Sequence, residues 1–129
     1  MPKDDSRRLF YKNLFADITT RLVQLQHEDG FWHASLLDAD SYPSPETSAT
    51  ALITYAIAYG INEGILDKSD FYEPMYKSWT SLLSAIDDDG KLGWVQPIGA
   101  DPKKVTRDMT SVYGPCAFLM AATEIYQMK

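Results

Sequence analysis

Eight side chains in this 129-residue chain have types and settings suited to holding a ligand noncovalently: Trp32, His33, Glu46, Thr47, Ser48, Trp94, Gln96 and Arg107. Trp32 and Trp94 offer ring faces for stacking, and Gln96 offers both a donor and an acceptor. Each tryptophan can equally pack beneath its loop as a core residue. Glu46, Thr47 and Ser48 fall in the first turn of an expected helix, where backbone N–H groups and the helix dipole suit an anion. Plain capping by Ser44 and Glu46 explains the same residues. Arg107 carries a planar fork matched to a carboxylate, or it belongs with Lys103 and Lys104 to a solvated loop. Histidine is the side chain type suited to acid or base work near neutrality, but no carboxylate pairs with His33 at a readable spacing, so it reads as a loop histidine. No residue is assigned a catalytic role.

Metal chemistry has little to work with: two histidines six positions apart and one cysteine, Cys116. Neither a metal ligand nor a cofactor is expected. Asp29-Gly30 and Asp89-Gly90 read as turns, and Asp87-Asp88-Asp89 lacks the alternating spacing of a calcium loop. Cys116 lies in an apolar helical run and is expected to be a buried, inert thiol.

The elements that would position these residues repeat. The two Asp-Gly pairs are 60 residues apart, each preceded by an amphipathic run and followed by a tryptophan; Thr47-Ser48-Ala49 and Thr110-Ser111-Val112 open two apolar stretches 63 residues apart. The first half of each unit is an amphipathic helix. One stripe is Phe10, Leu14, Ile18, Leu22 and Leu25, widened by Phe15 and Val23; the other is Tyr72, Met75, Tyr76, Trp79, Leu82, Leu83 and Ile86. Pro74 is placed in the first turn, and both helices are expected to end at their Asp-Gly, with glycine at C′. The second half of each unit is apolar or small nearly all round, which predicts a helix buried on every side; Ser44 is its expected N-cap and Pro45 its N1 residue in the first copy. The spacing predicts helices near 7–27, 45–62, 70–87 and 111–127. The fold class is all-α: two hairpin units, about 6–62 and 69–128, of an α/α toroid. Six such units would take about 360 residues, so this is expected to be the C-terminal third of a longer barrel.

Asp29-Gly-Phe-Trp-His-Ala-Ser-Leu-Leu-Asp38, Ser41-Tyr-Pro-Ser-Pro-Glu-Thr-Ser-Ala-Thr50, Tyr55-Ala-Ile-Ala-Tyr-Gly-Ile-Asn62, Gly93-Trp-Val-Gln-Pro-Ile-Gly99 and Tyr113-Gly-Pro-Cys-Ala-Phe-Leu-Met-Ala121 resemble the C-terminal part of unsaturated rhamnogalacturonyl and glucuronyl hydrolases, glycoside hydrolase families 105 and 88. The resemblance implies an (α/α)6 barrel that removes a terminal unsaturated uronic acid. Its chemistry is hydration of the C4–C5 double bond and collapse of a hemiketal, unlike the two-carboxylate displacement of ordinary glycosidases. The aspartates of that scheme lie in the N-terminal two-thirds of a family member, and no segment here matches them. The eight residues would then meet a sugar, with Arg107 or the 46–48 turn on the uronate. His33 stands where the family often has arginine, and Pro115 where relatives have a small flexible residue.

A net charge of −6 disfavours nucleic acid. The 13-residue stretch 49–61 is too short to span a bilayer. The polar start carries no signal peptide as written, which gives a cytoplasmic expectation. A non-catalytic helical module for oligomerisation or sugar binding is the alternative reading. The uncovered flanks of the inner helices predict a homo-oligomer, meeting through Ile53, Ile57, Phe118 and Ala122.

Overall fold

The structure, a computed structural model, describes residues 4–99, 102 and 105–128; Lys103 and Lys104 lie outside them. Among the described residues, four α-helices account for the architecture: α1 (Arg8–Gln24), α2 (Thr47–Asn62), α3 (Lys68–Ser84) and α4 (Tyr113–Gln127), with a short 3₁₀ turn at Ala39–Ser41. Among the described residues β structure is limited to two isolated bridges, His33 with Pro45 and Ile86 with Leu92. The all-helical expectation holds, and α2 packs against each of the other three helices.

Small residues let α2 and α4 approach closely. Ala51, Ala58, Ala117 and Ala121 are buried between the elements, and Gly114 lies so near Val95 that an added Cβ would stand 2.5 Å from a valine methyl. One core cluster joins Phe31, Ala51, Leu82, Leu92, Val95 and Ala117; a second joins Trp32, Ile57, Ala58, Leu66 and Met75.

A polar stripe runs through this apolar packing. Thr47, Thr50 and Thr54, on one face of α2, are fully buried. Thr47 donates to the Gly93 carbonyl at 2.8 Å, and Thr50 accepts from the Trp32 amide at 3.0 Å. Thr54 donates to the Ser78 hydroxyl at 2.8 Å. Each threonine thus ties a different loop or helix to α2 with its polar atoms satisfied, which removes the penalty of burying them.

Several expectations are corrected. Helices α1 and α3 stop at Gln24 and Ser84, short of their Asp-Gly pairs. The residues beyond are held by turn bonds: the His27 amide donates to the Phe31 carbonyl and the Gly30 amide to the His27 carbonyl, both at 3.0 Å. The same pattern joins Asp87, Lys91 and Gly90. Gly30 and Gly90 do take left-handed φ, 87° and 81°, but inside these turns. Glu46, not Ser44, caps α2. Pro74 lies in the second turn of α3 because Asp67 starts that helix earlier than expected. The α1 stripe is rotated: Phe10, Leu14 and Ile18 are exposed, while Phe15, Thr19 and Val23 turn inward. Tyr72, Tyr76 and Leu83 are likewise exposed on α3, where Met75 and Leu82 are buried. The inner helices are not buried all round, for Leu52, Leu119, Met120 and Tyr126 face outward. Cys116 is exposed. Of the residues assigned to an oligomer contact, Ile57 is fully buried within the chain and Phe118 stacks on Trp79 at 4.9 Å.

The start of α3 gives a pH-dependent test. Asp67 accepts from the Ser69 amide at 2.9 Å and its hydroxyl at 2.8 Å, and these bonds hold its carboxyl below the ordinary value. A folded-state value below the unfolded one means a stabilising contribution that is complete above about pH 4 and lost as pH falls through the folded value. Asp67→Asn keeps the cap but removes this dependence. Urea midpoints measured in acid are expected to fall more steeply for the parent than for the variant.

Candidate functional site

The two tryptophan-bearing loops converge on the N-terminal end of α2. Gly93 donates to the Ala85 carbonyl and Val95 to the Met109 carbonyl, both at 3.0 Å, while the Thr47 amide donates to the Trp94 carbonyl at 3.2 Å. This clamp holds Trp94 at a φ of 58°, a left-handed value rare for a bulky residue, and delivers Gln96 beside α2. From the other loop come His33, Ala34 and Leu36. Between them lies an open cleft of about 570 Å³. Its wall includes His33, Glu46, Ser48, Gln96, Ile98 and Tyr113.

Four of the eight expected residues therefore meet at one cleft: His33, Glu46, Ser48 and Gln96. The other four do not line it. Trp32 is fully buried and donates its indole N–H to the Leu22 carbonyl at 2.7 Å, so it is a core residue. Thr47 is buried beneath the Gly93 carbonyl. Trp94 is half-buried against the first core cluster. Arg107 is exposed, and what it contributes to the clamp is its backbone carbonyl, which accepts from the Trp94 amide at 3.4 Å. Tyr113 and Ile98 were missed; each lies within a motif string but carries no spacing signal of its own.

The helix start is already capped by a side chain of its own. Glu46 is buried, with Oε1 accepting from the Ser48 hydroxyl at 2.7 Å and amide at 3.2 Å, and Oε2 accepting from the Ala49 amide at 2.6 Å. The donors expected to cradle a ligand carboxylate are engaged by the chain's own. Glu46→Ala is expected to destabilise the chain by about 1–2 kcal/mol in urea titration, with much of the loss recovered by Asp or Asn at that position.

His33 is buried and has the carboxylate that the sequence reading did not pair with it. Nδ1 lies 2.9 Å from the Tyr42 carbonyl and Nε2 lies 2.9 Å from Oδ2 of Asp29. The signal was the four-residue offset, which a turn, rather than a helix, folds into contact. Partial burial pushes the Asp29 carboxyl up, but the Phe31 amide together with His33 and His27 outweighs it and holds the group below its ordinary value. His27 completes the cluster, its Nδ1 3.2 Å from Asp29 Oδ1 and its ring 4.3 Å from that of His33. Two histidines six positions apart thus have an aspartate between them.

The four packed helices with a cleft at a helix N-terminus, fed by the loop before α2 and the segment after α3, have the arrangement of part of an α/α toroid, the fold of solved proteins of glycoside hydrolase families 88 and 105. The chain belongs to glycosyl hydrolase family 88, whose sequence model matches residues 1–129. It is 40% identical over 129 residues to an unsaturated 3S-rhamnoglycuronyl hydrolase of Formosa agariphila, covering all of this chain and 34% of that protein. A solved polysaccharide lyase superposes with a TM-score of 0.94 at 38% identity, covering 98% of this chain and 37% of that one. A solved family 88 protein of Bacteroides vulgatus superposes with a TM-score of 0.88 at 33% identity, covering 100% of this chain and 38% of that one. The chain spans about a third of the length of each. Among the described residues, no helix is long and apolar enough to cross a membrane.

Proposed function

We propose that this chain forms one wall of the substrate cleft in an enzyme that removes terminal unsaturated uronic acids from oligosaccharides, and that it holds the sugar next to the uronate. The cleft carries this reading. Its wall combines hydroxyl-binding groups with the apolar surfaces of Ala34, Ile53, Ile98 and Tyr113, a mixture suited to a neutral sugar ring. A uronate here would face the buried Glu46 carboxylate and would find the helix-start donors engaged. Arg107, proposed from sequence to bind that uronate, stands outside the wall. The acid that protonates the C4–C5 double bond would come from the part of a family member that this chain does not match.

The chain alone is therefore expected to leave an unsaturated uronyl-rhamnose disaccharide intact, followed by the ultraviolet absorbance of its conjugated double bond. Grafting residues 1–129 in place of the matching third of the Formosa agariphila hydrolase is expected to give a chimaera that consumes that absorbance. A folded but inactive chimaera would overturn the proposal. The likeness to a polysaccharide lyase supports a second reading, and the sign of the signal separates the two: a lyase creates the double bond, so absorbance would rise on intact polysaccharide.

A further inference from the structure

His27 and Asp29 lie outside the cleft wall described above, His33 joins them to it, and the arrangement of the three is more specific than a solvated turn requires. We propose that they form a binding site for a divalent cation of the zinc class. Their ligand atoms all lie within 4.8 Å of one another, two imidazole nitrogens and a carboxylate. That donor set suits a borderline cation and leaves a fourth position open. In a tetrahedral site with bonds of about 2.0–2.1 Å, ligand atoms stand about 3.3 Å apart. Asp29 Oδ2 stands 2.9 Å from His33 Nε2 and Oδ1 stands 3.2 Å from His27 Nδ1, and an ion would draw the three ligand atoms, now within 4.8 Å of one another, together.

Two further observations point the same way. His33 Nδ1 faces the Tyr42 carbonyl, which can only accept, so that nitrogen donates there, while Nε2 is turned to the Asp29 carboxylate, where a bound cation would take the place of the proton the two share. A backbone carbonyl orienting the far side of an imidazole is the usual outer support of a metal ligand. On His27, Nδ1 is shielded from solvent and, though near Asp29, makes no aligned hydrogen bond, leaving a buried nitrogen without its proper partner.

The turn carrying the ligands is held from outside. Ser81 donates to the Asp29 carbonyl at 2.6 Å, and Lys77 to the His27 carbonyl at 3.3 Å. Gln26 bridges the Gly30 and Pro74 carbonyls, both at 3.0 Å. The ligand loop is thus pinned to α3 before any ion arrives, which lowers the ordering cost of binding. Through His33 the cluster also adjoins the cleft, so a bound cation would fix that wall.

The test is calorimetric titration of the chelator-stripped chain with zinc chloride in a non-coordinating buffer, with unfolding temperature as a second readout. One saturable site per chain and a raised unfolding temperature are expected. His27→Gln, at a partly exposed ring that the core does not need, and Asp29→Asn are each expected to weaken binding roughly tenfold or more. Cys116→Ser controls for the exposed thiol and is expected to leave affinity unchanged. Absence of saturable binding at millimolar zinc would overturn the proposal. So would binding that survives both ligand substitutions, or that is lost with Cys116.

Discussion

Replacing Trp32 with alanine is expected to destabilise the chain by about 3–5 kcal/mol, the range for deleting a large buried aromatic side chain. The ring is fully buried among Ile57, Ala58, Leu66 and Met75, elements from α2, α3 and the turn between them. Removing it opens a cavity where three parts of the chain meet and leaves the Leu22 carbonyl without the indole donor at 2.7 Å. A domain of this size has only about 5–15 kcal/mol to lose, so the variant should unfold near ambient temperature. Trp32→Phe isolates the second contribution: most of the volume stays, the indole donor goes, and about 0.5–1.5 kcal/mol is expected, because the Leu22 carbonyl keeps the Leu25 amide as a donor at 2.9 Å. Urea unfolding of the three proteins measures both. A small loss in Trp32→Ala would mean that the loop refills the space. It would also reopen a role in ligand stacking, which this burial argues against.

Helix identity and order were legible because apolar spacing near 3.6 and the echoed Asp-Gly turns report on local geometry. Orientation was less legible. Phe10, Leu14 and Ile18 make a more apolar stripe, at the same spacing, than the face α1 actually buries, and periodicity cannot say which of two faces meets α2. The helix starts fell within two residues of expectation, α2 and α4 later and α3 earlier. Ser44 and Pro45 satisfy capping statistics, but Glu46 reaches two backbone amides of its own first turn, and its burial makes those bonds decisive. Of the candidate residues, those that line the cleft are set by local position: Glu46 and Ser48 at a helix start, His33 and Gln96 in loops. The His27–Asp29–His33 cluster needed the turn at Gly30 to be seen in space, since a helix brings only the four-residue offset together and a strand spreads all three residues along one face.

The last prediction concerns surface that the chain leaves open. Leu9, Phe10, Tyr11, Leu14 and Ile18 on α1 range from 43% to 66% exposed, and Leu119 and Met120 on α4 add a second apolar area. Contiguous apolar surface of this kind is usually an interface. We propose that isolated chains associate through it, a different surface from the inner-helix contact expected from sequence, because α2 and α4 already cover one another. Covering ~600 Å² would contribute about 15 kcal/mol gross at ~25 cal/mol per Å². Lost translational and rotational freedom and side-chain ordering offset most of that, which leaves room for micromolar association. Sedimentation velocity at micromolar concentration is expected to show a dimer or larger species. Leu14→Lys with Ile18→Lys would place two unpaired charges in the apolar seam at several kcal/mol each, where every 1.4 kcal/mol is tenfold in affinity. That double variant should sediment as a folded monomer, with unchanged far-ultraviolet dichroism, at concentrations where the parent is associated. A parent that is monomeric and stable throughout this range would show that the α1 face tolerates water, and the association argument would fail.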